Sequence, residues 1–274
     1  MDSKFKKYDL KKRLSSMISL DFKRLFISKF FYIIIASCLI APILILVVTK
    51  MMEGSPMTDQ NGNVILDQFG NPVLMEGFKS VWQMLGSTSS SNAGMTMDLV
   101  GMCNINMVFF AISVLVGIFI SSEFRSGYVK NLFTLRSNKK EYIISKTFVC
   151  FIGGASMIIS FFIGSLIGGA ITNLSFELVD INLLNVIMCL LSKVGIVLVF
   201  TSIFVLASVI SKERLWMSLV AGLGIGMLLF MMIPIISPLD ATIINVVLSL
   251  VGGIMFSIGL GAISNFILKK IRLI

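Results

Sequence analysis

The chain contains no histidine. Histidine is the usual general acid or base near neutral pH and the commonest metal ligand, so its absence removes the ordinary basis for a catalytic dyad or a zinc site. Cysteine is scarce, and no two cysteines share a polar loop in which an oxidising compartment could join them. The four thiols are Cys38, Cys103, Cys150 and Cys189. The sequence therefore predicts no disulfide and no metal site.

Charge is also sparse. Charged residues make up 14% of the chain and hydrophobic residues 56%, and the mean hydropathy is +0.96. The apolar residues come in runs of about 20 or more, the length that crosses a hydrocarbon layer of roughly 30 Å. The net charge of +9 comes from basic residues at the edges of these runs, where they would face lipid headgroups and not nucleic acid. We expect an all-α integral membrane protein surrounded by lipid.

Six apolar runs are long enough to form transmembrane helices within a domain that covers residues 30–274. They lie near residues 30–49, 99–121, 143–172, 184–210, 215–237 and 243–268. All but three of the 23 Lys and Arg residues fall on one side of this arrangement, the exceptions being Lys50, Lys79 and Lys193. Because basic loops stay in the cytoplasm, both termini are expected inside the cell.

The N-terminal segment, residues 1–29, is rich in Lys and Arg. Its apolar positions recur at helical spacing between Leu14 and Phe26, whereas Lys23 and Arg24 fall on the other side. This pattern predicts an amphipathic helix in the cytoplasmic interface of the membrane, with a solvated helical tail as the alternative.

Residues 50–98 form the largest segment on the outer, extracytoplasmic side. An eight-residue repeat occupies 59–66 and 67–74, and its Gly-Asn turn signals, each followed by a short apolar triplet, predict a small β-ribbon. After the repeat, Phe78, Val81, Trp82 and Leu85 recur at helical spacing, which predicts a short helix with Trp82 as an anchor in the outer interface.

The cytoplasmic loop at 122–142 carries the most informative pattern. It can form an amphipathic helix whose apolar side is Phe124, Tyr128, Leu132 and Phe133 and whose polar side includes Arg125 and Lys130. An ordinary basic loop that only sets topology is the alternative interpretation.

The run Glu-Phe-Arg-Ser-Gly-Tyr-x-Lys-Asn-Leu, which starts at Glu123, resembles the coupling loop of the type-2 ABC permease family, as do the basic patch after it and Lys146 in the third span. The family's layout, a basic interfacial helix before six spans with both termini inside, is similar as well. The outer segment 50–98 is longer than in the shortest members of that family.

The resemblance implies a transporter of two permease subunits, identical or homologous, and two cytoplasmic ABC ATPase subunits. The residues expected to form a coupling helix against the ATPase are Glu123, Phe124, Arg125, Gly127, Tyr128, Lys130, Leu132 and Phe133. Glu123 would cap the following helix or meet a basic group of the ATPase. Gly127 would permit close approach by another backbone or a local bend, and a bulky side chain should not fit there.

This chain is not expected to be an enzyme. No Gly-x-x-x-x-Gly-Lys-Ser/Thr phosphate loop and no Gly-Lys pair occurs in it, so ATP and magnesium would be bound by the partner ATPase. The candidates for the transport pathway are polar residues within spans, namely Asn104, Asn106 and Lys193. For Lys193 the alternative is that its side chain simply reaches the outer interface. Gly164 and Gly168, four residues apart, predict close helix packing inside one subunit.

Together these observations favour the permease subunit of a bacterial ABC exporter in the plasma membrane, working by alternating access. Its substrate would be amphipathic or hydrophobic, such as an antimicrobial or toxic peptide, a drug or a lipid. Two other hypotheses stay open. One is an ion-gradient secondary carrier, and the other is a non-transporting membrane sensor or assembly factor.

Overall fold

The structure is a computed structural model that describes residues 2–58, 63–66, 69–88, 103–135, 139–178, 181–230 and 232–270. Nine α-helices lie within these ranges, and 3-10 helices occur at Val81–Leu85 and Ile105–Met107. In chain order the α-helices are α1 (Asp2–Ile27), α2 (Lys29–Met52), α3 (Val108–Arg125), α4 (Tyr128–Leu135), α5 (Lys139–Ile171), α6 (Leu183–Ser211), α7 (Leu215–Phe230), α8 (Ile233–Ile236) and α9 (Ile243–Lys270).

Five helical segments are long and apolar enough to cross a membrane, which indicates a multi-pass membrane protein. They are Lys29–Met52, Ile105–Arg125, Lys139–Ile171, Leu183–Ser211 and Ile243–Lys270. Each overlaps a predicted span, although the second starts at Ile105, and residues 99–102 lie outside the described residues.

The fifth predicted span, near 215–237, is not confirmed. This stretch contains the 16-residue apolar helix α7 and then the single turn α8, in place of one long helix. Pro234 lies in the first turn of α8, where its missing N–H does no harm, but the same residue could not continue the hydrogen-bond ladder of α7.

Helix α6 is the centre of the bundle. It packs along α9 and also contacts α3, α5 and α7. In its most apolar stretch 72% of the residues are buried, compared with 28% in α2 and 17% in α9. Helices α2 and α9 are thus at the periphery of the bundle. Large apolar side chains of α9, such as Ile244 and Met255, point away from the protein, where lipid would contact them.

Helices α2 and α5 approach closely through small residues. A Cβ atom at Gly164 would collide with the carbonyl oxygen of Leu39 and with Pro42, and one at Gly168 would lie 3.0 Å from the Cα atom of Ile43. Close packing within one subunit, the role predicted for this glycine pair, is confirmed.

In the described residues of the outer segment, three backbone groups form a hydrogen-bonded ring, and no strand of the predicted ribbon is present. Met57, Ile65 and Val73 are eight residues apart, and each backbone N–H donates to another member of the trio: Met57 to Val73, Val73 to Ile65 and Ile65 to Met57, each over 2.8 Å. The described residues here form only isolated antiparallel bridges. Pro56 and Pro72 sit in two of the bridges and have no N–H to extend a ladder.

The short helix predicted around Trp82 exists as the 3-10 helix Val81–Leu85, but Trp82 is not an interfacial anchor. Its side chain is buried, and its indole N–H donates to the backbone oxygen of Phe176 over 3.1 Å. A buried indole needs a hydrogen-bond partner. Here that bond joins the outer segment to the loop after α5.

Candidate functional site

Two clusters of polar side chains, each built around a fully buried lysine, lie within the bundle. The first, called the inner cluster, lies among α1, α3 and α5 and comprises Asp21, Arg24, Glu123, Tyr142, Ser145 and Lys146. The second, called the outer cluster, comprises Asn104, Asn106, Cys189, Lys193 and Ser237. Polar groups inside a membrane bundle are costly to bury, so they mark candidate functional positions.

Lys146 is the centre of the inner cluster. Its ammonium donates to Asp21 over 2.5 Å and also to Glu123, and all three side chains are fully buried. Ser145 donates from its hydroxyl to the second oxygen of Asp21 over 2.5 Å. Buried charges persist when they are paired and hydrogen-bonded, and here two carboxylates share one lysine.

Glu123 connects three helices. Besides Lys146, its carboxylate accepts from the Arg24 guanidinium over 2.5 Å and from the Tyr142 hydroxyl over 2.9 Å. Arg24 and Lys146 balance the charges of Glu123 and Asp21, so the four ionisable groups are neutral as a set. The cluster therefore binds α1, the last turn of α3 and the first turns of α5 to one another.

The same cluster holds the loop that was predicted to be the coupling loop. The guanidinium of Arg24 lies 4.0 Å from the centre of the Tyr128 ring, at the start of α4. Further along α4, Phe133 packs edge-on against Tyr142, with ring centres 5.5 Å apart. The Lys139 ammonium also lies 5.3 Å from the centre of the Phe133 ring. Helix α4 is thus fixed to α1 and α5 by two cation–π contacts and one aromatic contact.

The predicted amphipathic helix is shorter than expected. Glu123, Phe124 and Arg125 end α3, and α4 begins only at Tyr128, because Gly127 has a φ of +71° and breaks the helix between them. A Cβ atom at Gly127 would meet nothing within 4 Å. Of the two roles expected for Gly127, the bend is observed, and within the described part of this chain no other backbone approaches the position closely.

The helix cap expected for Glu123 is not observed. Its carboxylate is fully buried on Arg24, Tyr142 and Lys146, so it neither caps α4 nor faces outward. Phe124 is buried as well, and Leu132 and Phe133 pack partly against the core. Between Glu123 and Thr134 the exposed positions are Arg125, Ser126, Lys130, Asn131 and Thr134.

Five members of the inner cluster were not candidates from the sequence: Asp21, Arg24, Tyr142, Ser145 and Lys146. One signal pointed to them. Asp21 stands three residues after Ile18 and four before Leu25, so a carboxylate lies on the apolar side of α1. A charge on an apolar helix face requires a buried partner, and that partner could have been sought among the lysines of the spans.

The three predicted pathway residues do come together in the outer cluster. Lys193 is fully buried, and its ammonium donates to the Asn106 side-chain oxygen over 2.8 Å and to the backbone oxygen of Ser237 over 3.4 Å. Asn104 accepts from the Asn106 backbone N–H over 3.0 Å. The alternative in which Lys193 extends to the outer interface is therefore wrong.

The outer segment covers this cluster. A Cβ atom at Gly86 would lie 3.9 Å from the Lys193 ammonium, and the Leu239 backbone N–H donates to the Ser87 oxygen over 2.8 Å. On the opposite side the Ser237 hydroxyl donates to the Cys189 backbone oxygen over 3.1 Å. The buried ammonium is thus enclosed by α6, the start of the second span, the loop after α8 and the chain that follows Val81–Leu85.

No known protein family, no curated protein and no solved structure matches the chain. The five long apolar helices indicate a multi-pass membrane protein. Any finer statement about its function depends on the two clusters and on the loop between α3 and α5.

Proposed function

We propose that the chain is the transmembrane permease subunit of an ATP-driven ABC exporter in a bacterial plasma membrane. Two copies, or this chain and a homologous one, would combine with two ATPase subunits that bind ATP and magnesium. In this proposal α7 and α8 together make the fifth of six crossings, α1 lies in the cytoplasmic interface, and both termini are cytoplasmic.

The observation that carries the proposal is the position of Glu123 between Arg24, Tyr142 and Lys146. A coupling element must transmit force from a cytoplasmic partner to the spans, and it can do so only if it is fixed to them. The inner cluster supplies that attachment, because α4 cannot tilt without disturbing Arg24 on Tyr128 or Phe133 on Tyr142.

The exposed side of α4 is the surface offered to the ATPase. Lys130, Asn131 and Thr134 are exposed on α4, and Arg125, the last residue of α3, is exposed as well, so two of the four are basic. A partner with a polar or acidic cleft would complement this surface. The buried side of the loop, including Glu123, would set the angle of α4 instead of touching the ATPase.

The proposed mechanism is alternating access. Closure of the ATPases around ATP would move α4, and the inner cluster would transmit that movement to α1, α3 and α5. The outer cluster, which closes the other end of the bundle, would form part of the path for an amphipathic or hydrophobic substrate such as a peptide, a drug or a lipid.

The test is purification of the tagged chain from its native membrane, followed by reconstitution and measurement of ATP hydrolysis. We expect an ATPase subunit to copurify, and Arg125→Glu to reduce its amount together with the hydrolysis rate. Lys29→Glu, an exposed lysine at the same end of the bundle but outside α4, is the matched control and should change neither. Equal loss in both variants, or no ATPase in the wild-type preparation, would contradict the proposal.

One observation favours a second candidate, an ion-gradient carrier. Lys193 is an ionisable residue that is fully buried within a span, and such residues serve proton and ion relays in secondary transporters. Proteoliposomes that contain the chain alone discriminate the two candidates. Uptake driven by a proton or sodium gradient without ATP supports the carrier, and uptake that requires the ATPase and ATP supports the permease.

A further inference from the structure

A groove separate from both clusters opens between the first turns of α5 and the last turns of α9. Its volume is about 540 Å³, which is within the range of roughly 300–1,000 Å³ typical of small-molecule sites. No residue of the inner or outer cluster lines it. Its walls are mainly apolar and include Ile143, Ile144, Phe148, Leu198 and Ile258.

Several of these apolar side chains are open to the surroundings. Ile144 is 51% exposed and Ile258 is 66% exposed, so the groove faces sideways out of the bundle and not into its interior. In a multi-pass protein such a lateral opening faces the acyl chains of the bilayer. An acyl chain is therefore the natural occupant of the apolar part.

One end of the groove is basic. Lys140 lines it, and Lys139 lies beside it and donates to the Leu268 backbone oxygen over 2.7 Å. Lys269 and Lys270 end α9 on the same side, with the Lys270 ammonium 4.5 Å from the Phe266 ring centre. Basic pockets between transmembrane helices on the cytoplasmic side bind anionic headgroups.

Besides the lysines, the groove contains a further polar group, the side chain of Asn265. Asn265 lines the groove, and its side-chain oxygen is buried with no hydrogen-bond partner among the described residues. A buried acceptor without a donor destabilises a structure, so a ligand that brings an O–H or N–H group to this oxygen gains binding free energy. The ligand therefore needs a negative charge for the lysines and a donor for Asn265.

We propose that this groove binds one anionic phospholipid with a hydroxyl-bearing headgroup, of the phosphatidylglycerol type. An acyl chain lies along Ile144, Phe148 and Ile258, the phosphate lies near Lys140, and a headgroup hydroxyl donates to Asn265. The inference requires only that the chain spans a membrane, and it holds whether or not the protein is an ABC permease.

The experiment is native mass spectrometry of the purified chain in a neutral detergent, with phosphatidylglycerol or phosphatidylcholine added. We expect one tightly bound phosphatidylglycerol and weaker binding of phosphatidylcholine. Lys140→Gln should weaken phosphatidylglycerol binding about fivefold, the factor that corresponds to roughly 1 kcal/mol per basic group near a lipid surface. Lys29→Gln, which removes one exposed charge at the same end of the bundle, is the control and should leave it unchanged.

A second pair of variants tests the apolar part. Ile258→Trp fills the groove and should abolish the tight lipid, whereas Met255→Trp, also on the exposed side of α9 but outside the groove, should not. Each variant is first shown to elute as a folded species of the wild-type size. Asn265→Leu removes the acceptor and should reduce the preference for phosphatidylglycerol over a phospholipid whose headgroup lacks donors.

Three results would overturn the proposal. Equal binding of the two lipids would show that the groove holds bulk lipid without recognition. Unchanged binding in both Lys140→Gln and Ile258→Trp would place the bound lipid elsewhere. Conversion of a dimer into a monomer by Ile258→Trp, with lipid binding intact, would assign the groove to a second copy of the chain.

Discussion

The guanidinium of Arg24 donates a 2.5 Å hydrogen bond to the carboxylate of Glu123, although 99 residues separate them in the chain. Arg24 belongs to the helix before the first span, and Glu123 ends the second. Because Arg24 also stacks on Tyr128, one side chain holds the basic N-terminal helix, the second span and α4 in a fixed arrangement.

Removing the carboxylate of Glu123 should destabilise the protein. Glu123→Ala leaves the buried Lys146 with Asp21 alone and leaves Arg24 without its partner, and loss of one member of a buried ion pair costs about 3 kcal/mol. We expect a lower melting temperature in detergent for this variant. Glu123→Lys, which adds a third cation, should be worse still.

Glu53→Ala is the matched control for that measurement. Its carboxylate pairs with Lys50 over 2.7 Å, but both side chains are about half exposed, so the loss should be below about 1 kcal/mol. Similar destabilisation by the two substitutions would mean that the inner cluster contributes no more than a surface pair.

Substitutions at Gly127 should follow backbone preference and not side-chain size. With φ at +71° and open space around the position, Gly127→Asn should be tolerated best, Gly127→Ala should cost about 1 kcal/mol, and Gly127→Val should cost most. The measurement is thermal stability together with ATP hydrolysis of the reconstituted complex. Gly224→Ala, also in open space but within α7, is the control and should be neutral or slightly stabilising.

Asn106 and Lys193 should behave as a coupled pair. Asn106→Leu removes an acceptor from a fully buried ammonium and should cost about 1–3 kcal/mol, and Lys193→Met in the same chain should restore most of that stability. Transport measured on the wild type and these two variants separates the roles of the pair. Recovery of stability without recovery of transport supports a pathway function, and recovery of both would make the pair purely structural.

Orientation is tested by thiol labelling in intact cells. Phe69→Cys, at an 88% exposed position in the outer segment, should react with an impermeant maleimide, whereas Thr134→Cys on α4 should react only after lysis. The background carries Cys103→Ser, because that native thiol is only partly buried. Partial burial raises the pKa of Cys103, which would give slow labelling that increases with pH. The opposite labelling order would reverse the topology and move α4 outside.

The contact between α2 and α5 gives a packing prediction. Gly164→Ala would force a methyl group against the Leu39 carbonyl oxygen and should lower the melting temperature. Gly252→Ala in α9, where a Cβ atom meets nothing within 4 Å, is the control. An unchanged melting temperature for Gly164→Ala would show that the two helices can separate without loss.

The sequence by itself determined the class of this protein. In lipid, an apolar run of about 20 residues must form a helix, because its backbone N–H and C=O groups can find hydrogen-bond partners only within the same segment. Five of the six predicted spans are therefore long apolar helices in the structure. The glycine pair at Gly164 and Gly168 also indicated the close approach of helices, since a spacing of four places both on one face.

Tertiary structure alone decided which polar groups meet. From the sequence, Lys193 could be either exposed or buried. In the structure, the packing of α6 brings its ammonium into hydrogen-bond contact with Asn106. Likewise, Glu123 resembled a surface residue of a loop until Arg24, Tyr142 and Lys146 enclosed it. Helical periodicity specifies the face on which a side chain lies, but not the helix that covers that face. That pairing depends on how all the helices fill space together, and it determined both clusters.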